Sequence, residues 1–235
     1  MKIPPPDTLK PRKTPIQARS TATVDAIAKA AIQVLLTEGG RRLTTTRVAE
    51  RAGVSVGTMY QYFPHKQALL YAVLHQHLSE YVESFEIACR ELHGQPIAKI
   101  ATGIVDAFLD AKIRQPDASR ALYKIAEELD TDELRIGLSL RLRDACAALL
   151  ASATDCVIDD RVDVAFVLLT AMNGTMRAFF EHGNVTAPRV AMLRKQLLAL
   201  CRGYLTAATS TNACNSLNST QGHRIEETTV TDEQR

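Results

Sequence analysis

Long hydrophobic runs are missing from this sequence. The longest mainly apolar stretch free of charge is Val164–Met176, short of the roughly 18 residues of a membrane-spanning helix, so no membrane partner is expected. The N-terminus, MKIPPPDTLKPRKTP, holds five of the nine prolines and no apolar stretch able to act as a secretory h-region. A cytoplasmic chain is the expectation. Cysteine is scarce as well. Cys89, Cys146, Cys156, Cys201 and Cys214 are odd in number and widely spaced, with no CxxC pair, which excludes a small disulfide-stapled scaffold and reads as reduced thiols used for packing. Runs of alternating β-branched residues are absent, so strands are not expected. There is also no nucleophile beside a base, no carboxylate pair within a supporting motif and no Gly-rich phosphate loop. No enzyme and no cofactor are expected, and the Glu127-Glu128 pair is read as facing solvent. His75 and His77 diverge by about 200° around a helix and cannot share a tetrahedral metal ion.

What is present is an uneven charge distribution. Residues 1–70 carry 11 Lys+Arg against 4 Asp+Glu, whereas the remainder carries 17 against 22, so the net +2 hides halves of opposite sign. A basic segment joined to a mildly acidic body fits a polyanion reader fused to something else, and an ordinary solvated basic surface gives the same count.

Between two polar ends, nearly every segment has apolar residues at 3.6-residue spacing, which predicts an all-α fold. Residues 1–20 are Pro-rich and basic and residues 209–235 offer few large apolar groups, so both are expected to be disordered tails. Helices are expected at Thr23–Thr37, with Asp25 in its first turn, and at Thr45–Ala52 and Val56–Phe63, capped by Thr44 and Ser55; Gly39-Gly40, Gly53 and Pro64 break them. A long connector follows from Lys66 to Leu92, then helices at Ile97–Arg114, Asp117–Leu129, Thr131–Ala153, Arg161–His182 and Ala187–Ala208. The Arg161–His182 helix is apolar all round, and the last helix repeats Val190, Leu193, Leu197, Leu200, Cys201 and Tyr204 at i, i+3, i+4 spacing. This pair can meet its symmetry mates in a homodimer; burial within the chain would use the same pattern.

Leu43–Leu70 reads as two short helices joined by a tight Gly-containing turn, the layout of a helix-turn-helix. Val48, Val54, Met59 and Phe63 can form its small core around Ala49. With Met59 and Phe63 inward, Gly57, Thr58 and Gln61 point out, flanked by Tyr60 and Tyr62, with Val56 at the start of the same helix. This uncharged polar face suits a major groove, where Thr58 and Gln61 can reach base edges and Gly57 permits close approach. Gly57 otherwise costs about 0.8–1 kcal/mol relative to alanine. Phosphates would be met by Thr45 and Thr46 at one helix N-terminus, by Lys66 at another and by the tyrosine hydroxyls. Arg47, a cation in a first turn, opposes the helix dipole, a placement a shared phosphate explains. Arg41 and Arg42 can add to this, as can Lys10, Arg12 and Lys13 of the tail.

The pattern V-A-x-x-A-G-V-S-x-G-T-x-Y-x-Y-F-x-x-K-x-x-L, here Val48–Leu69, resembles the signature of the TetR/AcrR family of bacterial transcriptional regulators. The motif covers about residues 20–75; beyond it only helix number and length agree. The resemblance implies an N-terminal three-helix DNA-binding domain (residues 21–66) and a C-terminal ligand-binding and dimerisation domain (67–208), whose last two long helices make a four-helix bundle in a homodimer. It implies that Thr45, Thr46, Gly57, Thr58, Tyr60, Tyr62 and Lys66 touch a double-stranded operator, and that a small-molecule effector enters a pocket among the middle helices. Phe108, Tyr123, Met172, Asn173, Met176 and Phe179 are the candidates for lining it. The expected function is a ligand-responsive regulator that releases a near-palindromic operator when the effector binds; the alternative is an architectural DNA-binding protein indifferent to sequence.

Overall fold

The structure, a computed structural model, describes residues 5–12 and 18–221. Within these residues the chain is helical with no strand: a single 3-10 turn at Asp7–Leu9, then α1 (Ala18–Glu38), α2 (Thr45–Ala52), α3 (Val56–Tyr62), α4 (Lys66–Glu91), α5 (Ile97–Ile113), α6 (Pro116–Glu128), α7 (Asp132–Ala151), α8 (Arg161–Glu181) and α9 (Ala187–Gln221). Helices α2, α3 and α4 start where side-chain acceptors meet free amides. The Thr44 hydroxyl accepts from the Arg47 amide, Ser55 from Thr58, and the His65 Nδ1 from Ala68. Gly53 ends α2 at φ 67°, a left-handed conformation that glycine adopts without a Cβ penalty.

Two apolar cores share α4 as their common wall. The N-terminal core gathers Ile27, Ala31, Val34, Leu43, Val48, Ala49, Met59 and Phe63 against Leu69, Val73 and Leu74 of α4, and takes in Leu122 and Ile125 of α6. The C-terminal core packs the rest of α4, from Tyr81 to Cys89, with α5, α7, α8 and α9. A bidentate ion pair from Arg141 of α7 to Glu86 of α4, at 2.9 and 2.7 Å, ties two of these helices. Helix α6 therefore has one side in the N-terminal core and the other against the C-terminal core. Burial pushes the thiols of Cys89 and Cys201 up to about 12, and that of Cys146 higher still. They remain protonated packing groups.

Several sequence expectations need correction. Residues 5–12 are ordered against the body: Leu9 is buried in the C-terminal core and the Arg12 amide donates to the Tyr62 carbonyl at 2.8 Å. One apolar side chain and one backbone bond offset the ordering of this short segment. Helix α9 runs past Ala208 to Gln221, because extending a formed helix avoids the cost of nucleating one. The expectations for residues 1–4, 13–17 and 222–235, Lys13 included, and for the Cys214 side chain lie outside the described residues.

The strongest apolar stripe of α9 is also spent inside the chain. Leu193, Leu197, Cys201 and Leu205 are buried, and Arg194 reaches Asp106 and Asp110 while Arg202 reaches Thr102, all on α5. What α9 leaves open is the opposite stripe of Met192, Gln196, Ala199, Leu200 and Gly203. Helix α8 divides likewise: Val164, Ala165, Leu168, Leu169, Met172 and Met176 are buried, whereas Val162, Phe166 and Val167 are exposed. By length and composition, with a mean hydropathy of 1.2, α8 could cross a membrane. The charge-free run understated this because the helix extends beyond it at both ends. Its buried side is that of a core helix.

Candidate functional site

The N-terminal site is a helix surface held from behind. Met59 is fully buried and Phe63 nearly so, which fixes the rotation of α3 and leaves Val56, Gly57, Tyr60 and Gln61 exposed, with Thr58 and Tyr62 half-buried. A Cβ added at Gly57 would meet only the Ser55 hydroxyl, at 3.7 Å. Nothing among the described residues requires glycine there. The Thr58 hydroxyl lies 2.9 Å from that of Ser55, so part of its hydrogen-bonding capacity is used locally.

The flanking residues are tied to one another. Buried Thr45 donates to the Tyr60 hydroxyl at 3.2 Å, joining the start of α2 to α3, while Thr46 is exposed beside it. The Lys66 ammonium donates to the Gly40 carbonyl at 2.6 Å, which places its charge over the loop leading into α2. Arg41 and Arg42 are exposed on that loop. Arg47 pairs with Glu38 at the end of α1 and also donates to the Arg42 carbonyl. Each of these two charges opposes its own helix dipole, and pairing them accounts for Arg47 without a phosphate. Lys10 pairs with Asp7 at 2.5 Å, and Arg12 is exposed next to the end of α3.

A cavity of about 420 Å³ opens in the C-terminal domain among α4, the end of α5, α6, α7 and α8, within the size range of small-molecule sites. Of the expected lining residues, Tyr123 and Asn173 border it, with Gly174 beside Asn173. Phe108, Met172, Met176 and Phe179 are buried in the C-terminal core instead, since the faces they occupy pack helix on helix. Glu127 and Glu128 are exposed, as expected; Glu127 also borders the cavity and pairs with Arg177 at 2.5 Å, which binds Glu181 at 2.8 Å as well.

Sequence reasoning missed His77, Tyr81, Lys112 and Ser119, all in the cavity wall. The Ser119 hydroxyl donates to the Lys112 carbonyl at 3.1 Å and lies 3.1 Å from Nε2 of His77. A serine has one proton to give, so Nε2 is the donor in that contact. Burial depresses the His77 pKa from its ordinary 6.5; Glu80 raises it and Lys112 lowers it by smaller amounts. The folded state then binds fewer protons than the unfolded chain, so stability is full above about 6.5 and falls as acid protonates the unfolded histidine. In urea unfolding, lowering the pH from about 7.5 to 5.5 is expected to cost the wild type more than His77→Gln. Equal losses would show that His77 titrates alike in both states.

Residues 21–73 match the family model for bacterial regulatory proteins of the tetR family, and residues 96–205 match that for the tetracyclin repressor-like C-terminal domain. Over 53 residues the chain is 45% identical to YvkB, an uncharacterized HTH-type transcriptional regulator of Bacillus subtilis, a match covering 23% of this chain and 28% of that protein. The chain spans about a third or less of the length of the curated relatives it matches. In fold it is similar to a TetR-family transcriptional regulator of Streptomyces coelicolor (TM-score 0.58, 21% identity, 80% of this chain and 97% of that one). It is also similar to SmeT, the repressor of the Stenotrophomonas maltophilia multidrug efflux pump SmeDEF (TM-score 0.59, 18% identity, 79% and 91%).

Proposed function

Because the chain belongs to the TetR family of bacterial transcriptional regulators, we propose that it acts in the cytoplasm as a ligand-responsive repressor, a homodimer that binds a near-palindromic operator and leaves it when a small molecule fills the second-domain cavity. The observation that carries this reading is the α3 surface: Gly57, Tyr60 and Gln61 exposed and uncharged beside Thr58, with Met59 and Phe63 anchoring the helix from behind. Such a face reads base edges while Thr46, Arg42, Tyr62 and Lys66 at its margins meet phosphates.

Two further features support the dimer and the coupling. The open stripes of α8 and α9 expose Phe166, Val167, Met192 and Leu200, and a Cβ at Gly203 of α9 would meet nothing within 4 Å. A helix-interior glycine costs about 0.8–1 kcal/mol relative to alanine, which close approach of a partner helix would offset. Helix α6 carries Leu122 and Ile125 into the N-terminal core and Ser119, Tyr123 and Ala126 towards the cavity. A ligand that moves α6 changes the seat of the DNA-reading unit, and the antagonism between ligand and operator is then reciprocal.

Passing the purified protein over a random duplex library at near-physiological salt tests the reading directly. An enriched palindrome is the expected result. On the selected duplex, Thr58→Ala or Gln61→Ala is expected to relax the preference at one base position by roughly 1–3 kcal/mol, whereas Lys66→Ala weakens all sequences alike and flattens the salt slope by about one. Retention indifferent to sequence and lost with salt would replace this reading with that of an architectural protein.

A further inference from the structure

The cavity has one chemically unusual wall. Lys112, in the last turn of α5, is only 7% exposed, and among the described residues it has no ion-pair partner. Its ammonium donates to the Tyr123 hydroxyl at 2.8 Å and lies 4.3, 5.3 and 5.5 Å from the ring centroids of Tyr81, Phe108 and Tyr123. An ammonium has three protons to donate. One is used, and the ring faces stabilise the charge without accepting a full hydrogen bond. Burying a charge in this way is costly unless something pairs with it.

The Tyr81 hydroxyl has the same deficit. It is buried and, among the described residues, has no hydrogen-bond partner, and its residue lines the same cavity. Burial holds its phenol well above the usual range, so it stays a donor. Donors thus gather at the end near α5, and Leu74, Leu78, Val82, Leu122, Leu138 and Leu142 give the wall an apolar stretch, with Ser139, Thr170 and Asn173 as polar groups elsewhere in it. The other two arginines at its edge are exposed and already paired, Arg177 with Glu127 and Glu181 and Arg135 with Asp132.

We propose that the cavity binds a small amphipathic organic acid, whose carboxylate accepts from the Lys112 ammonium and the Tyr81 hydroxyl while its hydrocarbon part lies along the leucines. This rests on the cavity being the effector site and specifies its ligand class. One unpaired buried cation matches one negative charge; a dianion would bring a second charge with no partner, and a neutral ligand would leave Lys112 as it is. The volume of about 420 Å³ holds roughly 14 water-sized groups, which suits an acid of about that many non-hydrogen atoms or fewer.

Calorimetric titration of the full chain with octanoate and 4-phenylbutyrate, each against its alcohol (octan-1-ol, 4-phenylbutan-1-ol), tests this. Each acid is expected to bind about 10- to 100-fold more tightly than its alcohol, the worth of a charge-assisted hydrogen bond. Lys112→Met, which keeps the side chain's length and removes its charge, is expected to erase that gap by weakening the acids while the alcohols bind as before or better. Should Lys112→Met fail to fold, Tyr81→Phe remains informative, because the hydroxyl it removes bonds to nothing in the chain. It is expected to weaken the acids about 3- to 10-fold and leave the alcohols unchanged. Equal binding of acids and alcohols to the wild type overturns the ligand class and leaves the effector site standing. Failure of all four to bind overturns both.

Discussion

Met59→Ala is expected to abolish operator binding by destabilising the N-terminal unit by about 2–5 kcal/mol. Helix α3 has seven residues, far below the roughly 12–15 at which an isolated helix becomes even marginally stable. Its existence and its rotation both depend on what it packs against. Met59 is fully buried there, among Val48, Ala49, Phe63 and Leu69, and truncation leaves a cavity whose lining helices are themselves capped and cannot slide in to fill it. A loss of this size is a large part of a domain's usual 5–15 kcal/mol. Urea unfolding followed by circular dichroism is expected to split into two steps, with the first at lower denaturant than in the wild type. Hydrogen exchange should locate that step in α1–α3 and also in α6, since Leu122 and Ile125 sit in the same core. A single transition at the wild-type midpoint would mean that α3 does not rely on this contact.

Phe166→Glu is expected to leave a folded chain that sediments as a monomer and binds a two-half-site operator roughly 10²- to 10⁴-fold more weakly. Phe166 is 58% exposed in the midst of the open α8 stripe, between Val162 and Val167. More than half of its surface is open in its own chain, so the change costs little stability there. In a dimer the same carboxylate would be buried without a partner in an apolar contact, which typically costs several kcal/mol. The drop in DNA affinity follows from losing the effective concentration that one bound half gives the other. Leu200→Glu on the neighbouring α9 stripe is expected to act in the same direction, and Val157→Glu, on the loop before α8, to change neither readout. A Phe166→Glu protein that remains dimeric and binds normally would place the interface on another face.

The helix-turn-helix was legible because everything that defines it is local. Thr44, Ser55 and Gly53 sit within a few residues of the amides and carbonyls they satisfy, and Met59 and Phe63 are one turn apart on one helix. Periodicity could also place α4–α8 to within a residue or two, since each helix carries its own apolar stripe. It could not say which neighbour covers a stripe. The best stripe on α9, which resembled a dimer surface, is covered by α5, nearly a hundred residues earlier. Nor could spacing show that Arg47, a cation in a first turn, has Glu38 of α1 beside it.

The cavity wall depended most on tertiary structure. Lys112 falls in the last turn of α5, where a cation is favoured by the helix dipole and ordinarily solvated, so nothing in its sequence context distinguishes it from a surface lysine. Only the convergence of α4, α5 and α6 puts aromatic rings around its ammonium and buries the Tyr81 hydroxyl beside it without a hydrogen-bond partner among the described residues. The sequence by itself determined the all-helical class, the caps and the outward face of α3, because these rest on interactions spanning at most a few residues. The tertiary structure alone decided which polar groups are left without partners, because burial depends on how distant segments meet, and a side chain's hydrogen-bonding need becomes a binding preference only where water is excluded.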